Sequence, residues 1–196
     1  MSHGAMRRSS GWFWISLRML GGMGSERDTP KLQAALDRLA DCLGESEDRL
    51  RAVVPSVSGW SPAQHVEHTL IAVRRMFAAI VELRDRSGTA IKPKGRPTLA
   101  GRALLMGGWI PRGKAEAPDF AVPGAAPDRA LLRENLEAAA TQFAALVPDA
   151  PSLRDVPGVI DHPILESFSA AQWWRFARVH TEHHLAIIDD LLDAIE

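Results

Sequence analysis

The feature that most constrains the fold is a continuous apolar stripe near the carboxyl end of the sequence. On a helix, which turns by about 100° per residue, positions spaced three or four apart fall on one face. The residues of the stripe are Trp173, Phe176, His180, His184, Ile187 and Leu191. Such a stripe predicts a long helix whose apolar side is buried against other helices. It also places two imidazoles one turn apart on that buried side.

Capping signals mark where two of the long helices begin. The segment Ser61-Pro62-Ala63-Gln64 is a capping box with proline at the first helical position, and its helix is expected to run to about Arg86. The segment Ser169-Ala170-Ala171-Gln172 is a second capping box. It begins the helix of the apolar stripe, which is expected to reach Ala194.

Two more long helices are predicted from caps followed by apolar residues at helical spacing. Thr29-Pro30 is expected to supply the N-cap and the first-turn proline of the first helix, and Asp128 the N-cap of the third. The core positions of the first helix are Leu32, Leu36, Leu39 and Leu43. Those of the third helix are Leu132, Leu136, Ala139, Phe143 and Leu146.

A connector rich in glycine and proline separates the second and third helices. It covers residues 87–127, and at about forty residues it is too long for a plain loop. A short helix from around Leu99 to Trp109 is predicted within it. The sequence shows no internal repeat and no alternating strand pattern longer than a few residues. We therefore predict an all-α fold, a four-helix bundle with a long connector between helices 2 and 3.

The composition is that of one globular domain. The chain has 196 residues, of which 46% are hydrophobic and 24% charged, and its net charge is −1. This charge creates no field that would recruit nucleic acid or an anionic membrane, so we expect neither as a partner. Cys42 is the only cysteine, which excludes an intrachain disulfide and a cluster of thiolate metal ligands. A reducing, cytoplasmic location fits that composition.

The first 28 residues differ from the rest. Two arginines precede an apolar run over residues 11–17, which Arg18 interrupts. The run is shorter than the ~20 apolar residues that a membrane span needs, and no clear cleavage site for a signal peptide follows it. We expect residues 1–28 to form a loosely ordered extension and residues 29–196 to form the bundle domain.

His180 and His184 have the spacing by which one helix offers two nitrogens to a metal ion. Each buried imidazole needs a hydrogen-bond partner, and a single cation satisfies both; the alternative is a pair of structural core histidines. Glu182 points to the opposite side of the helix, which excludes the His-Glu-x-x-His arrangement of metalloproteases. His183 lies about 80° from the stripe, so it is expected beside the site rather than as a ligand.

A third ligand should come from another helix. The second helix offers His65 and His68, which are three residues apart and share a side. His65 falls inside the apolar arc of that helix and His68 at its edge, so the pattern slightly favours His65. The pattern alone does not decide between them.

The residues around these histidines resemble a known family. The segment from Trp60 to His68, Trp-Ser-Pro-Ala-Gln-His-Val-Glu-His, resembles the Trp-Ser-x-x-Glu-x-x-x-His segment of the DinB/YfiT-like superfamily. The segment His180-Thr181-Glu182-His183-His184 resembles the His-x-x-His-His segment in the last helix of that family. His162-Pro163, followed by Trp173-Trp174, is similar to an uncharacterised branch of the group. The likeness covers about residues 30–194.

The resemblance implies a four-helix bundle that holds a metal, often zinc or nickel, with three histidines. Carried over residue by residue, the ligands are His68, His180 and His184, and His65 and His183 lie beside them. Characterised members include a maleylpyruvate isomerase and S-transferases that use mycothiol, bacillithiol or glutathione; many others are described only as candidate metal-dependent hydrolases. Two departures, Ile187 in place of a frequent glutamine and the longer connector, concern the substrate rather than the metal.

The function predicted on these grounds is that of a metal-dependent enzyme acting on a small-molecule substrate. We expect a thiol-dependent S-transferase with a low-molecular-weight thiol as cosubstrate, or a hydrolase. One alternative is a metal-binding or ligand-binding stress-response bundle without turnover. Another is a homodimer seam formed by Trp173-Trp174 and the alanine-rich third helix, in which case the histidines are incidental. The histidine set itself suits zinc, nickel, iron or cobalt.

Overall fold

Four long helices form the body of the protein in the computed structural model, which describes residues 24–113 and 116–195. The long helices are α1 (Ser25–Cys42), α3 (Pro62–Asp85), α5 (Arg129–Leu146) and α6 (Ala170–Ala194). Two short helices, α2 (Glu47–Arg51) and α4 (Leu99–Gly107), lie in the connections. The predicted all-α four-helix bundle is confirmed. No helix in the described ranges combines the length and apolar character needed to cross a membrane.

The four long helices pack in a ring, in which each contacts two of the others. Helices α1 and α3 each pack against both α5 and α6. Helices α1 and α3, which are consecutive among the long helices, therefore lie diagonally opposite each other. The most extensive helix contact in the described ranges joins α3 to α6. The two helices that carry His65, His68, His180 and His184 are therefore direct neighbours.

Both predicted capping boxes are present, and they fix where α3 and α6 begin. The Ser61 hydroxyl accepts the Gln64 N–H at 3.4 Å, and the Gln64 side chain accepts the Ser61 N–H at 3.0 Å. Ser169 and Gln172 form the same reciprocal pair. A fixed start sets the rotation of each helix, and this decides which side chains face inward.

The first helix begins earlier than predicted. It starts at Ser25 rather than after Thr29, and Pro30 lies inside it. The Thr29 hydroxyl donates to the Ser25 carbonyl at 2.8 Å instead of capping the helix. The added turn is anchored by the buried Asp28, whose carboxylate accepts from Arg178 Nε of α6 at 2.6 Å. Residues 25–28 of the predicted extension thus belong to α1, while residues 1–23 lie outside the described part of the chain.

Aromatic side chains fill the centre of the bundle. Trp174 is fully buried, stacks on Phe143 at 5.3 Å and contacts Phe77 at 5.9 Å between ring centroids. Trp173 is also buried. Because both indoles lie within the core of a single chain, the proposed dimer seam through Trp173-Trp174 is wrong. A homodimer through another surface stays a prediction.

The connections carry structure that the sequence pattern did not reveal. A hairpin of β1 (Ile160–His162) and β2 (Glu166–Phe168) pairs antiparallel directly before α6. The long connector is held against this hairpin by backbone pairing of Lys92 with Val159 and of Pro97 with Glu166. Further along, the connector forms a single turn of 3₁₀-helix over Asp119–Ala121. That turn lies next to the histidines described below.

Candidate metal centre

Three histidines from α3 and α6 converge in the interface between these helices. One ring nitrogen each from His68, His180 and His184 lies within 4.8 Å of the others. The group includes His68 and not His65, which the helical pattern slightly favoured. The group is compatible with a divalent metal site.

The backbone fixes the tautomer of His68. Its Nδ1 lies 2.7 Å from the carbonyl oxygen of Ala121, which can only accept a hydrogen bond. Nδ1 therefore carries the proton in the neutral ring, and Nε2 presents its lone pair. In metal-binding histidines, the ring nitrogen that does not bind the metal usually donates a hydrogen bond of this type.

The Ala121 carbonyl is held in place by three contacts between the connector and α3. Arg75 lies over the ring of Phe120 at 4.1 Å. The Gly124 N–H donates to the Glu67 carboxylate at 2.7 Å, and the Gln64 amide donates to the Gly124 carbonyl at 3.0 Å. Gln64 thus caps α3 and also fastens the segment that orients His68.

The spacing of His68 and His180 fits a shared cation. Their Nε2 atoms are 3.3 Å apart, which equals the edge of about 3.3 Å expected between ligands of a tetrahedral ion with Zn–N bonds of about 2.0–2.1 Å. Nδ1 of His180 is buried and has no hydrogen-bond partner among the described residues. If Nε2 of His180 carries the proton, the lone pair on Nδ1 is unsatisfied. If Nδ1 carries it, that N–H has no acceptor in the described ranges and the Nε2 lone pairs of His68 and His180 face each other; a cation between the two Nε2 atoms removes this repulsion but leaves Nδ1 unpartnered there.

His184 completes the group. Its ring centroid lies 4.6 Å from that of His68 and 4.6 Å from that of His180. Its Nδ1 is 3.0 Å from Nδ1 of His65, so Nε2 is the nitrogen left to face the cluster. The side chain is buried, as is that of His68, while His180 is only partly covered.

His65 and His183 both lie against the ring of His184. His65 bridges His184 and Ser58, whose Oγ lies 2.9 Å from its Nε2. The ring of His183 meets that of His184 edge to face at 5.0 Å. Burial lowers the pKa values of His65 and His183, and the nearby charge of Arg112, which pairs with Asp190 at 2.5 Å, lowers them further.

Aromatic rings border the cluster. Trp60 lies 5.1 Å from His68 and Phe176 lies 5.7 Å from His180, measured between ring centroids. His162 of the hairpin packs edge to face on Phe176 at 5.1 Å. Its Nδ1 accepts the backbone N–H groups of Ile164 and Leu165, so it is a structural element of the hairpin turn. Neither the Ser58 hydroxyl nor the Ala121 carbonyl gave any signal in the sequence.

Burial keeps these imidazoles neutral. It lowers the pKa of His65 to about 4 and that of His183 to about 4 because the charged ring is poorly solvated. Burial lowers the pKa of His68 as well, and it holds the pKa values of His180 and His184 well below their usual range. Neutral imidazoles keep the lone pair that binds a metal ion at pH 7.

A helical bundle with a cluster of neutral histidines compatible with a metal is the class that this fold and site define. Residues 29–188 match the model of the DinB superfamily, and the chain belongs to that superfamily. The comparisons found no match among curated proteins or among solved structures.

The neutral histidines predict that the metal-free protein loses stability in mild acid. Unfolded histidines bind a proton near pH 6.5, whereas His65, His162 and His183 do so only near pH 4 in the folded chain. Stability is thus fully present above pH 6.5. As pH falls below 6.5, the free energy of unfolding decreases by up to about 1.4 kcal/mol per pH unit for each such histidine.

Urea unfolding of the metal-free protein at pH 7.5, 6.5 and 5.5 measures this loss while carboxylates remain largely ionised. A free energy of unfolding that stays constant over that range would show that the histidines are not held neutral.

Proposed function

We propose that the chain is a metal-dependent enzyme whose ion is bound by His68, His180 and His184. The observation that carries the proposal is the 3.3 Å approach of the His68 and His180 Nε2 atoms, with a nitrogen of His184 completing the group within 4.8 Å. Three protein ligands leave one position of a tetrahedral ion open, as in catalytic rather than structural zinc sites. We propose zinc or nickel as the ion; iron and cobalt also suit three imidazoles.

The charge of the site favours an anionic ligand. All three proposed ligands are neutral, so they leave the full positive charge of the ion in place. The rings of Trp60 and Phe176 exclude water from part of the cluster and strengthen electrostatic interactions there. When bound, the ion lowers the pKa of a thiol or of water and supplies a nucleophile near neutral pH.

A thiol that reacts at this site has to come from outside the chain. Cys42 is buried on α1, and burial raises its pKa to about 11. It is therefore protonated at neutral pH and unsuited to be a nucleophile. We propose that a low-molecular-weight thiol is the cosubstrate and that a small electrophile accepts its sulfur. Such a reaction fits the reducing conditions of the cytoplasm.

Metal content separates this proposal from a purely structural role of the histidines. We expect the purified protein to bind one divalent ion per chain, and His180→Ala to lose most of that binding because a ligand is removed. His183→Ala is the matched control, since His183 touches His184 but lies outside the group. It should keep the ion. Elemental analysis of dialysed protein measures the metal, and circular dichroism monitors the fold.

An unchanged metal content in folded His180→Ala would reject the proposed site.

Thiol conjugation separates the proposed enzyme from a binding protein. We expect the metal-loaded protein to accelerate conjugation of a general aromatic electrophile with mycothiol, bacillithiol or glutathione. His180→Ala should abolish the acceleration, and Cys42→Ala should leave it unchanged because that thiol is buried and protonated.

Ester hydrolysis without thiol consumption would assign the site to a hydrolase instead. Metal binding with neither activity would favour the non-catalytic metal-binding alternative.

A further inference from the structure

His65 is held between a metal-ligand candidate and a serine. Its Nδ1 lies 3.0 Å from Nδ1 of His184, and its Nε2 lies 2.9 Å from the Oγ atom of Ser58. Ser58 is itself held by the backbone, because its Oγ accepts the Trp60 N–H at 3.1 Å. His65 is buried, so bulk water does not compete for these contacts.

The direction of this hydrogen-bond chain decides which nitrogen of His184 is free. In one arrangement, His184 Nδ1 donates to His65, and His65 Nε2 donates to Ser58. Nε2 of His184 then presents a lone pair to the cluster. In the reverse arrangement, Ser58 donates to His65, His65 Nδ1 donates to His184, and a proton on His184 Nε2 blocks the cluster. Both directions use the same pairs of atoms, since neutral imidazole and hydroxyl groups can donate or accept.

The hydrogen-bond partner of Nδ1 in His184 thus differs in kind from that of Nδ1 in His68. The partner of His68 is a carbonyl, which accepts only and permits one tautomer. The partner of His184 is another imidazole, which permits two. The Ser58 oxygen already accepts the Trp60 N–H and retains a lone pair, so it can accept a hydrogen bond from Nε2 of His65 in the arrangement that metal binding requires.

We propose that His65, anchored by Ser58, is a positioning residue that accepts a hydrogen bond from Nδ1 of His184 and thereby supports the tautomer whose Nε2 lone pair faces the cluster. This inference rests on the proposed metal site. It assigns His65 no bond to the ion and no contact with substrate. Partners of this kind typically change metal affinity by about 10–100-fold when they are removed.

The test compares two variants of similar size. His65→Asn places an amide oxygen near the former Nδ1 position and can still accept from His184, whereas His65→Leu removes the acceptor. We expect the Kd for zinc, measured against a chromophoric chelator, to rise about 10–100-fold in His65→Leu and no more than about threefold in His65→Asn. Circular dichroism of the metal-free variants confirms that both are folded.

A second measurement uses the wild-type chain and so does not depend on either variant folding. In the zinc-loaded protein, the ¹⁵N shifts of the histidine rings should show a protonated Nδ1 and a metal-bound Nε2 at His184. Zinc bound through His184 Nδ1 would overturn the inference. An equal Kd for folded His65→Leu and the wild type would also overturn it, while the metal site itself would stand. A wild-type chain that binds none of zinc, nickel, iron or cobalt would instead overturn the proposed function together with this inference.

Discussion

The contact between α3 and α6 buries a set of neutral imidazoles, and the rest of the site depends on that burial. A charged imidazole is poorly tolerated there, so the pKa values of His68, His180 and His184 fall and their lone pairs persist at neutral pH. Each buried ring nitrogen then needs a partner of its own. A carbonyl serves His68 and an imidazole serves His184, whereas Nδ1 of His180 has none in the described chain. The Nε2 atoms of His68 and His180, by contrast, meet at 3.3 Å, where one cation can take up both lone pairs.

Two parts of the fold supply the groups of the site: the long helices carry the histidines, and the connector carries the carbonyl that orients one of them. The histidines of the cluster stand on two long helices whose starts are fixed by capping boxes. The orienting carbonyl of Ala121 comes from the connector, which Arg75, Glu67 and Gln64 fasten to α3. Changes elsewhere in the connector can therefore alter the surroundings of the site without moving the proposed ligands.

The helices and their inward faces were predictable because their signals are local. A capping box and the spacing of apolar side chains need only neighbouring residues to be recognised, and both boxes and the inward stripe are present as predicted. The choice between His65 and His68 was not local, because residues three apart on a helix share a side and only the packing partner decides which one meets α6. The helical pattern preferred His65, whereas the structure places His68 in the group.

Other features could not be predicted from the sequence, for related reasons. Strands of three residues are too short to show a periodicity, and the hairpin before α6 has no more than that. The early start of α1 depends on the pairing of Asp28 with Arg178, which are 150 positions apart in the chain. Backbone and hydroxyl partners such as the Ala121 carbonyl and Ser58 have no side-chain pattern at all. The ligand roles of the histidines stay a prediction.

X-ray absorption at the zinc edge of protein loaded with one equivalent of zinc tests the central claim most directly. We predict scattering from three imidazole rings and one further light atom, with the imidazole nitrogens at about 2.0–2.1 Å from the zinc. When a thiol is added, a sulfur atom at about 2.3 Å should replace the light atom. Fewer than three imidazoles, or a carboxylate of the chain in their place, would contradict the site described here.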